Sequence, residues 1–332
     1  MSDINGLEIT DVFGLSDPLS KLLETVSGGI GKVYEPIHIK RMAKAKAEEL
    51  KLISAAVSDN ITLPTIYENG KITVDSTNFE ELMKRTQERF LFQELSKQSN
   101  IDAVVTKAYT ELEKEEAVSD IPVDKDWTSR FFDSVANVSN EEMQDLWAKI
   151  LAGEVKQPGS FSLRTLDTIK NLTQNEAQAY KKLAPLVMVT GGGAVIIGNK
   201  EIREKYNCSL NDILLLDECG LIMSNGTVAY NVNMPADSEN ALASKKHLIR
   251  IINETKNTIN ISFNIYPLTK AGEELYDIAD VMPNEEYSIE VAKHIHENYS
   301  NKITVIIHKI NYIDDKDGID YDENPLKVFK RK

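Results

Sequence analysis

The residues able to do chemistry fall into a few sets, and spacing tests each one. The run Gly191-Gly192-Gly193-Ala194-Val195-Ile196-Ile197-Gly198 invites a phosphate-loop reading, because glycines let backbone amides approach an anion. Ile196 occupies the last glycine position of G-x-G-x-x-G, and Asn199 stands where a P-loop lysine would follow Gly198, so both spacings fail. A turn between core elements is the expectation. Asp314, Asp315, Asp317 and Gly318 resemble a calcium loop. Aligning Gly318 with the loop glycine puts Ile313 and Asn324 at the first and last ligand positions, where carboxylates belong. His294 and His296 lie at i, i+2 on an expected helix and point to different faces. His38, His247 and His308 stand beside no nucleophile motif. Cys208 and Cys219 lack neighbouring ligands for zinc, and read as small buried residues in a reducing cytoplasm. No cofactor and no metal site are expected. Carboxylates are abundant enough for a metal-dependent hydrolase or nuclease, though spacing singles out no subset.

The charge balance narrows the partners. The 332 residues include 52 acidic and 38 basic ones, a formal charge of −14. Nonspecific grip on phosphates needs a local basic excess, which argues against a general nucleic-acid coat. Acidic residues concentrate from Glu111 to Asp126 and from Asp314 to Glu323, where solvated, mobile stretches are expected. Residues 151–200 are mildly basic through Lys156, Arg164, Lys170, Lys181, Lys182 and Lys200. Met1 to Gly6 shows neither a basic nor an apolar signal region, and no window approaches the roughly 18 apolar residues of a membrane helix. A cytoplasmic protein without a transmembrane segment is expected.

The elements that must carry these residues are mostly helical at first. Leu19, Leu22, Leu23 and Val26 share one helix face ahead of Gly28-Gly29. A membrane-surface helix would be basic on its polar side, whereas Lys21 faces Asp17 and Glu24, so packing on a partner face is favoured. From Pro36 an Ala-Lys-Glu-rich helix carries a narrow stripe of Ala43, Ala47, Leu50, Ile53 and Val57. Pro64 and Asn69-Gly70 mark a loop or small hairpin. Phe79, Leu82, Met83, Phe90, Leu91 and Leu95 restore helical spacing, and Asn100 is read as the cap of a further helix through Leu112. Ser139 and Glu142 read as a capping box for a helix with Trp147 and Leu151, closed by Gly153. Thr173 and Glu176 read as another.

The C-terminal part reads as a winged helix. Lys200 to Tyr206 and the segment capped by Ser209 are its helices; Val228 to Val232 and Ile259 to Ile265, with Asn225-Gly226 as a turn, are its wing. Such folds often bind DNA. Yet the segment in the recognition position carries Asp212, Asp217 and Glu218 with no lysine or arginine, a surface that repels phosphates. A helix after Pro283 and a buried strand from Ile303 to Ile307 complete the reading.

The central block carries a family resemblance. Asp126-Trp127-Thr128-Ser129-Arg130-Phe131-Phe132, then Asn140 through Trp147 to Glu154, then Pro158-Gly159-Ser160-Phe161-Ser162-Leu163-Arg164-Thr165-Leu166 resemble a bacterial family catalogued as domain of unknown function 2806. Gly31 to Pro36 and the Ala-Lys helix are similar to the same family and to abortive-infection alpha proteins. The resemblance implies a bacterial protein linked to phage defence, and it brings no catalytic residues. Within the motif, Trp127, Phe131, Phe132 and Trp147 are expected to form an aromatic-rich core, with Arg130, Glu154 and Arg164 as candidate partners in a polar network.

The expected fold is mainly α with a smaller α+β part. It comprises a helical N-terminal region (1–118), a central helical module (127–190), a winged-helix-like α+β region (191–312) and a charged tail (313–332). The expected function is non-enzymatic, through self-association or contact with another protein. A DNA-binding regulator and a metal-dependent hydrolase or nuclease are the alternatives, with nucleic acid disfavoured as a partner.

Overall fold

The computed structural model describes residues 17–30, 65–68, 71–74, 79–115, 117–224, 228–314 and 318–332. The chain divides into two compact units between Leu166 and Asp167. The Ala-Lys helix from Pro36 and the turns at Asn69-Gly70, Asn225-Gly226 and Asp315 to Asp317 lie outside the described residues.

The first unit is helical. It contains α1 (Asp17–Ile30), a hairpin of β1 (Thr65–Glu68) and β2 (Lys71–Val74), α2 (Phe79–Leu112), α3 (Lys125–Val135), α4 (Glu141–Lys156) and the first half of α5 (Leu163–Lys170). Leu19, Leu22, Leu23 and Val26 are buried, as their spacing requires. So are Ile101, Val104, Val105, Ala108 and Leu112, where α2 packs along α4. Local details differ from expectation. Asn100 caps nothing, because α2 runs through it; its side-chain amide donates to the Ala136 carbonyl at 2.9 Å. The cap of α4 is Asn140, whose side chain accepts from the Met143 amide at 3.1 Å, and not its neighbour Ser139. Gly153 does not end α4; it gives room to the Phe161 ring, which a Cβ there would approach to 2.8 Å.

The second unit overturns the expected fold class. Its frame is a nine-stranded antiparallel sheet, which a mainly-α chain with a small α+β part and a winged-helix-like end does not contain. The strands are β3 (Val187–Thr190), β4 (Gly193–Ile197), β5 (Val228–Met234), β6 (Glu239–Ala243), β7 (His247–Asn253), β8 (Ile259–Pro267), β9 (Ile303–Asp314), β10 (Gly318–Tyr321) and β11 (Lys327–Phe329). They run in the order β10-β9-β7-β6-β3-β4-β8-β5, with β11 also paired to β9. The helices of this unit are α6 (Gln174–Leu183), α7 (Lys200–Lys205), α8 (Leu210–Glu218), α9 (Lys270–Ile278) and α10 (Glu285–Asn298). Thr173 and Glu176 form the expected capping box of α6, and Ser209 caps α8 with Asp212 as its reciprocal partner. The expected wing strands do pair, as β5 and β8. Instead of ending as a two-stranded wing, β8 continues onto β4 through Ile197↔Ile265, and the ladder extends through β3, β6 and β7 to β9. Buried alternate residues of β7, β8 and β9, among them Ile249, Ile251, Ile261, Val305 and Ile307, form its core.

β10 lies in the stretch from Asp314 to Glu323 read as acidic and mobile, and β11 in the end that follows it. The His296 ring donates to the Lys330 carbonyl at 2.9 Å and His308 to the Asp322 carbonyl at 2.7 Å. The Arg331 side chain donates to the Asn301 and Glu254 carbonyls.

Candidate functional site

The aromatic residues named from the sequence come together in the first unit. Asp124 caps α3 by accepting from the Trp127 amide, which sets Trp127, Phe131 and Phe132 on the buried side of the helix. Trp127 stacks on Phe131 at 5.0 Å, and Phe131 meets Trp147 of α4 edge-on at 5.4 Å. The Trp127 indole donates to the Phe161 carbonyl at 2.8 Å. Glu154, 2% exposed, accepts from the Gly159 amide at 2.7 Å and the Phe161 amide at 3.0 Å. It therefore organises the turn between α4 and α5 from beneath, as a charge-assisted acceptor of backbone donors. Arg130 and Arg164 stand exposed.

In the second unit the glycine run is the β3–β4 hairpin. Thr190 Oγ1 accepts from the Gly192 amide and donates to the Gly193 carbonyl. Gly193 has φ +117°, and a Cβ there would come within 2.6 Å of Glu273 Oε1. That carboxylate accepts from the Ala194 amide at 2.8 Å, so the turn is served by an anion from α9 of its own chain.

The histidines among the described residues are separately employed. His247 Nδ1 lies 3.1 Å from Ser288 Oγ and its Nε2 3.9 Å from Glu285. The ring and Ser288 are buried between β7 and α10, away from any solvent-borne substrate. Burial lowers the His247 pKa and Lys309 adds to this, against the pull of Glu285. His294 lines a shallow cleft of about 230 Å³ with Asn199, Ser262, Asn264 and Asn298. Burial raises the pKa of Cys208 and pushes Cys219 up to about 11, which keeps both as neutral thiols near pH 7. Among the described residues no three His, Cys, Asp or Glu side chains are grouped to hold a metal ion, and no helix is long and apolar enough to cross a membrane.

Among the described residues, large apolar side chains stand exposed on two helices. On α8, Asp212 is held by Lys182 at 2.6 Å and by Ser209, and Asp217 accepts from both the backbone and hydroxyl of Ser224. Burial raises the Asp212 pKa, but its bonds to Lys182 and Ser209 outweigh that and lower it. The outward side shows Leu210 and Leu214, 54% and 50% exposed. On α2 the contrast is larger. From Lys84 to Asn100 no side chain is buried, and Phe90 and Leu91 are 64% and 58% exposed. Helical spacing shows which residues share a face, not whether anything covers it.

A family model described as "Protein of unknown function (DUF2806)" matches residues 84–292. No curated protein and no solved structure matches the chain. The matched span takes in most of α2, the aromatic core, the Glu154 turn and the strands from β3 to β8, and the chain belongs to this family of unknown function.

Proposed function

We propose that the protein is a non-enzymatic interaction module that works through protein contacts, in bacterial defence against phage. The observation that supports this reading is the exposed half of α2. Phe90 and Leu91 stand at adjacent positions on a helix whose other half is anchored by Ile101, Val104 and Val105. Covering what remains exposed of these two side chains is worth about 1–2 kcal/mol each, and a rigid helix presents both at low ordering cost. The phage-defence setting rests on the resemblance to abortive-infection alpha proteins. The test is co-purification of the full-length protein, and of a Phe90→Glu/Leu91→Glu variant, from phage-challenged and unchallenged bacterial cells. A partner retained by the wild type and lost from the variant is expected. Identical partner sets for both would remove the reading, and a partner that ignores challenge would remove its defence setting.

A further inference from the structure

The two edges of the sheet in the second unit are built differently. At one edge β9 is covered by two short strands carrying charge, β10 with Asp320 and β11 with Lys327. Short, charged strands are what proteins use to keep an edge from pairing. The other edge is β5, seven residues long, Val228-Ala229-Tyr230-Asn231-Val232-Asn233-Met234, with neither charge nor proline.

The register fixes which backbone groups of β5 face outward. On β8, Asn264 accepts from the Gly198 amide, Leu268 donates to Ala194, and the Ser262 amide donates to the Tyr299 hydroxyl. The even-numbered β8 residues thus point their backbone groups away from β5, and the odd-numbered ones point toward it. Pairing of Val228, Tyr230, Val232 and Met234 with Ile265, Phe263, Ile261 and Ile259 uses the inward groups. Ala229, Asn231 and Asn233 are left with backbone N–H and C=O directed to the open edge, and all three are exposed. The one bond seen there is local, from the Asn231 side chain to the Ala229 carbonyl at 3.2 Å.

We propose that β5 pairs antiparallel with β5 of a second copy of this chain, around a two-fold axis at Asn231. Asn231 would face Asn231 of the second copy, and Ala229 would face Asn233, each as a hydrogen-bonded pair. The strand is self-complementary in this register. Tyr230 and Val232 oppose each other on the apolar face, Val228 opposes Met234, and the opposite face meets Ala and Asn only. A two-fold sets each residue against its mirror position, so a charge at the centre would face its own kind; β5 has none. The closure is isologous, so assembly stops at a dimer and β5 keeps no free edge.

The test uses the full chain. Sedimentation velocity at about 100 µM is appropriate, because a single strand pair is a small interface and small interfaces are weak. A concentration-dependent dimer is expected. Asn231→Lys, which sets like charges opposite each other, and Asn231→Pro, which removes an outward donor that β8 does not use, should both halve the mass while leaving circular dichroism unchanged. In a Cys219→Ser background, Asn231→Cys should cross-link on oxidation, since hydrogen-bonded antiparallel pairs sit about 5.5 Å apart at Cα, within disulfide range. Asn233→Cys should not, because Ala229 faces it. The Phe90→Glu/Leu91→Glu variant should stay dimeric, which separates this contact from the one on α2. A wild-type monomer at that concentration, a dimer that survives Asn231→Lys, or equal cross-linking at 231 and 233 would each overturn the proposal.

Discussion

Gly28 and Gly29 are neighbours in α1, and alanine should act on them with opposite sign. A helical glycine costs about 0.5–1 kcal/mol relative to alanine, so propensity alone favours both substitutions. At Gly28 a Cβ would meet nothing within 4 Å, and the gain should be kept in full. At Gly29 a Cβ would lie 2.5 Å from Thr128 Cγ2 and 2.6 and 2.8 Å from carbons of the Phe132 ring. Both side chains are buried on α3, at 4% and 3% exposure, so they have little room to retreat. Overpacking of this kind costs about 1–3 kcal/mol, which at mid-range exceeds the propensity gain and leaves a net loss of about 1 kcal/mol. The chain has two tryptophans, Trp127 and Trp147, and both lie in the core of this unit. Urea unfolding followed by tryptophan fluorescence therefore reports on the first unit selectively. The Gly28→Ala midpoint should rise and the Gly29→Ala midpoint should fall. If Gly29→Ala stabilises as much as Gly28→Ala does, the close crossing of α1 and α3 is wrong.

Other outcomes follow from buried polar groups. Glu154→Ala leaves the Gly159 and Phe161 amides without their acceptor and should cost about 2–4 kcal/mol in the same fluorescence assay, with Glu154→Gln intermediate because one carbonyl oxygen remains. The lowered His247 pKa means that the unfolded chain takes up its proton first as pH falls. The stability due to neutral His247 is therefore complete above about pH 6.5 and declines as pH drops from there toward the folded-state value. Thermal unfolding by circular dichroism at pH 7.5 and 5.5 should show this decline, and His247→Gln should lessen it; an unchanged slope in that variant would remove His247 as its cause.

Local chemistry was legible where one signal decides the outcome. Thr173 with Glu176, and Ser209, announce their helices because a capping side chain needs only its own helix. At Ser139-Asn140 two cap formers sit side by side, and geometry selects Asn140, which composition does not rank. The aromatic core was readable because large apolar side chains at helical spacing must bury a face. The sheet was not. β6 and β7 join through Ser244-Lys245-Lys246, without the Gly, Pro or Asn that marks a hairpin. β3 is four residues long and β4 begins inside the glycine run, so the run reads as a turn without showing the strands on either side. The β7–β9 and β4–β8 pairings join distant segments, which no local window contains. For the same reason the exposed α2 face and the open β5 edge depend on which elements fail to meet, a property of the assembled chain.

The proposed function makes Phe90 and Leu91 the surface that a partner covers. The most direct measurement is the dissociation constant of the purified full-length protein for the partner isolated by co-purification, compared with Phe90→Ala. Truncating a covered aromatic anchor should weaken binding by about tenfold or more, which corresponds to about 1.4 kcal/mol or more, while fluorescence-detected unfolding of the first unit stays unchanged. An affinity that does not move on Phe90→Ala would exclude Phe90 from the contact.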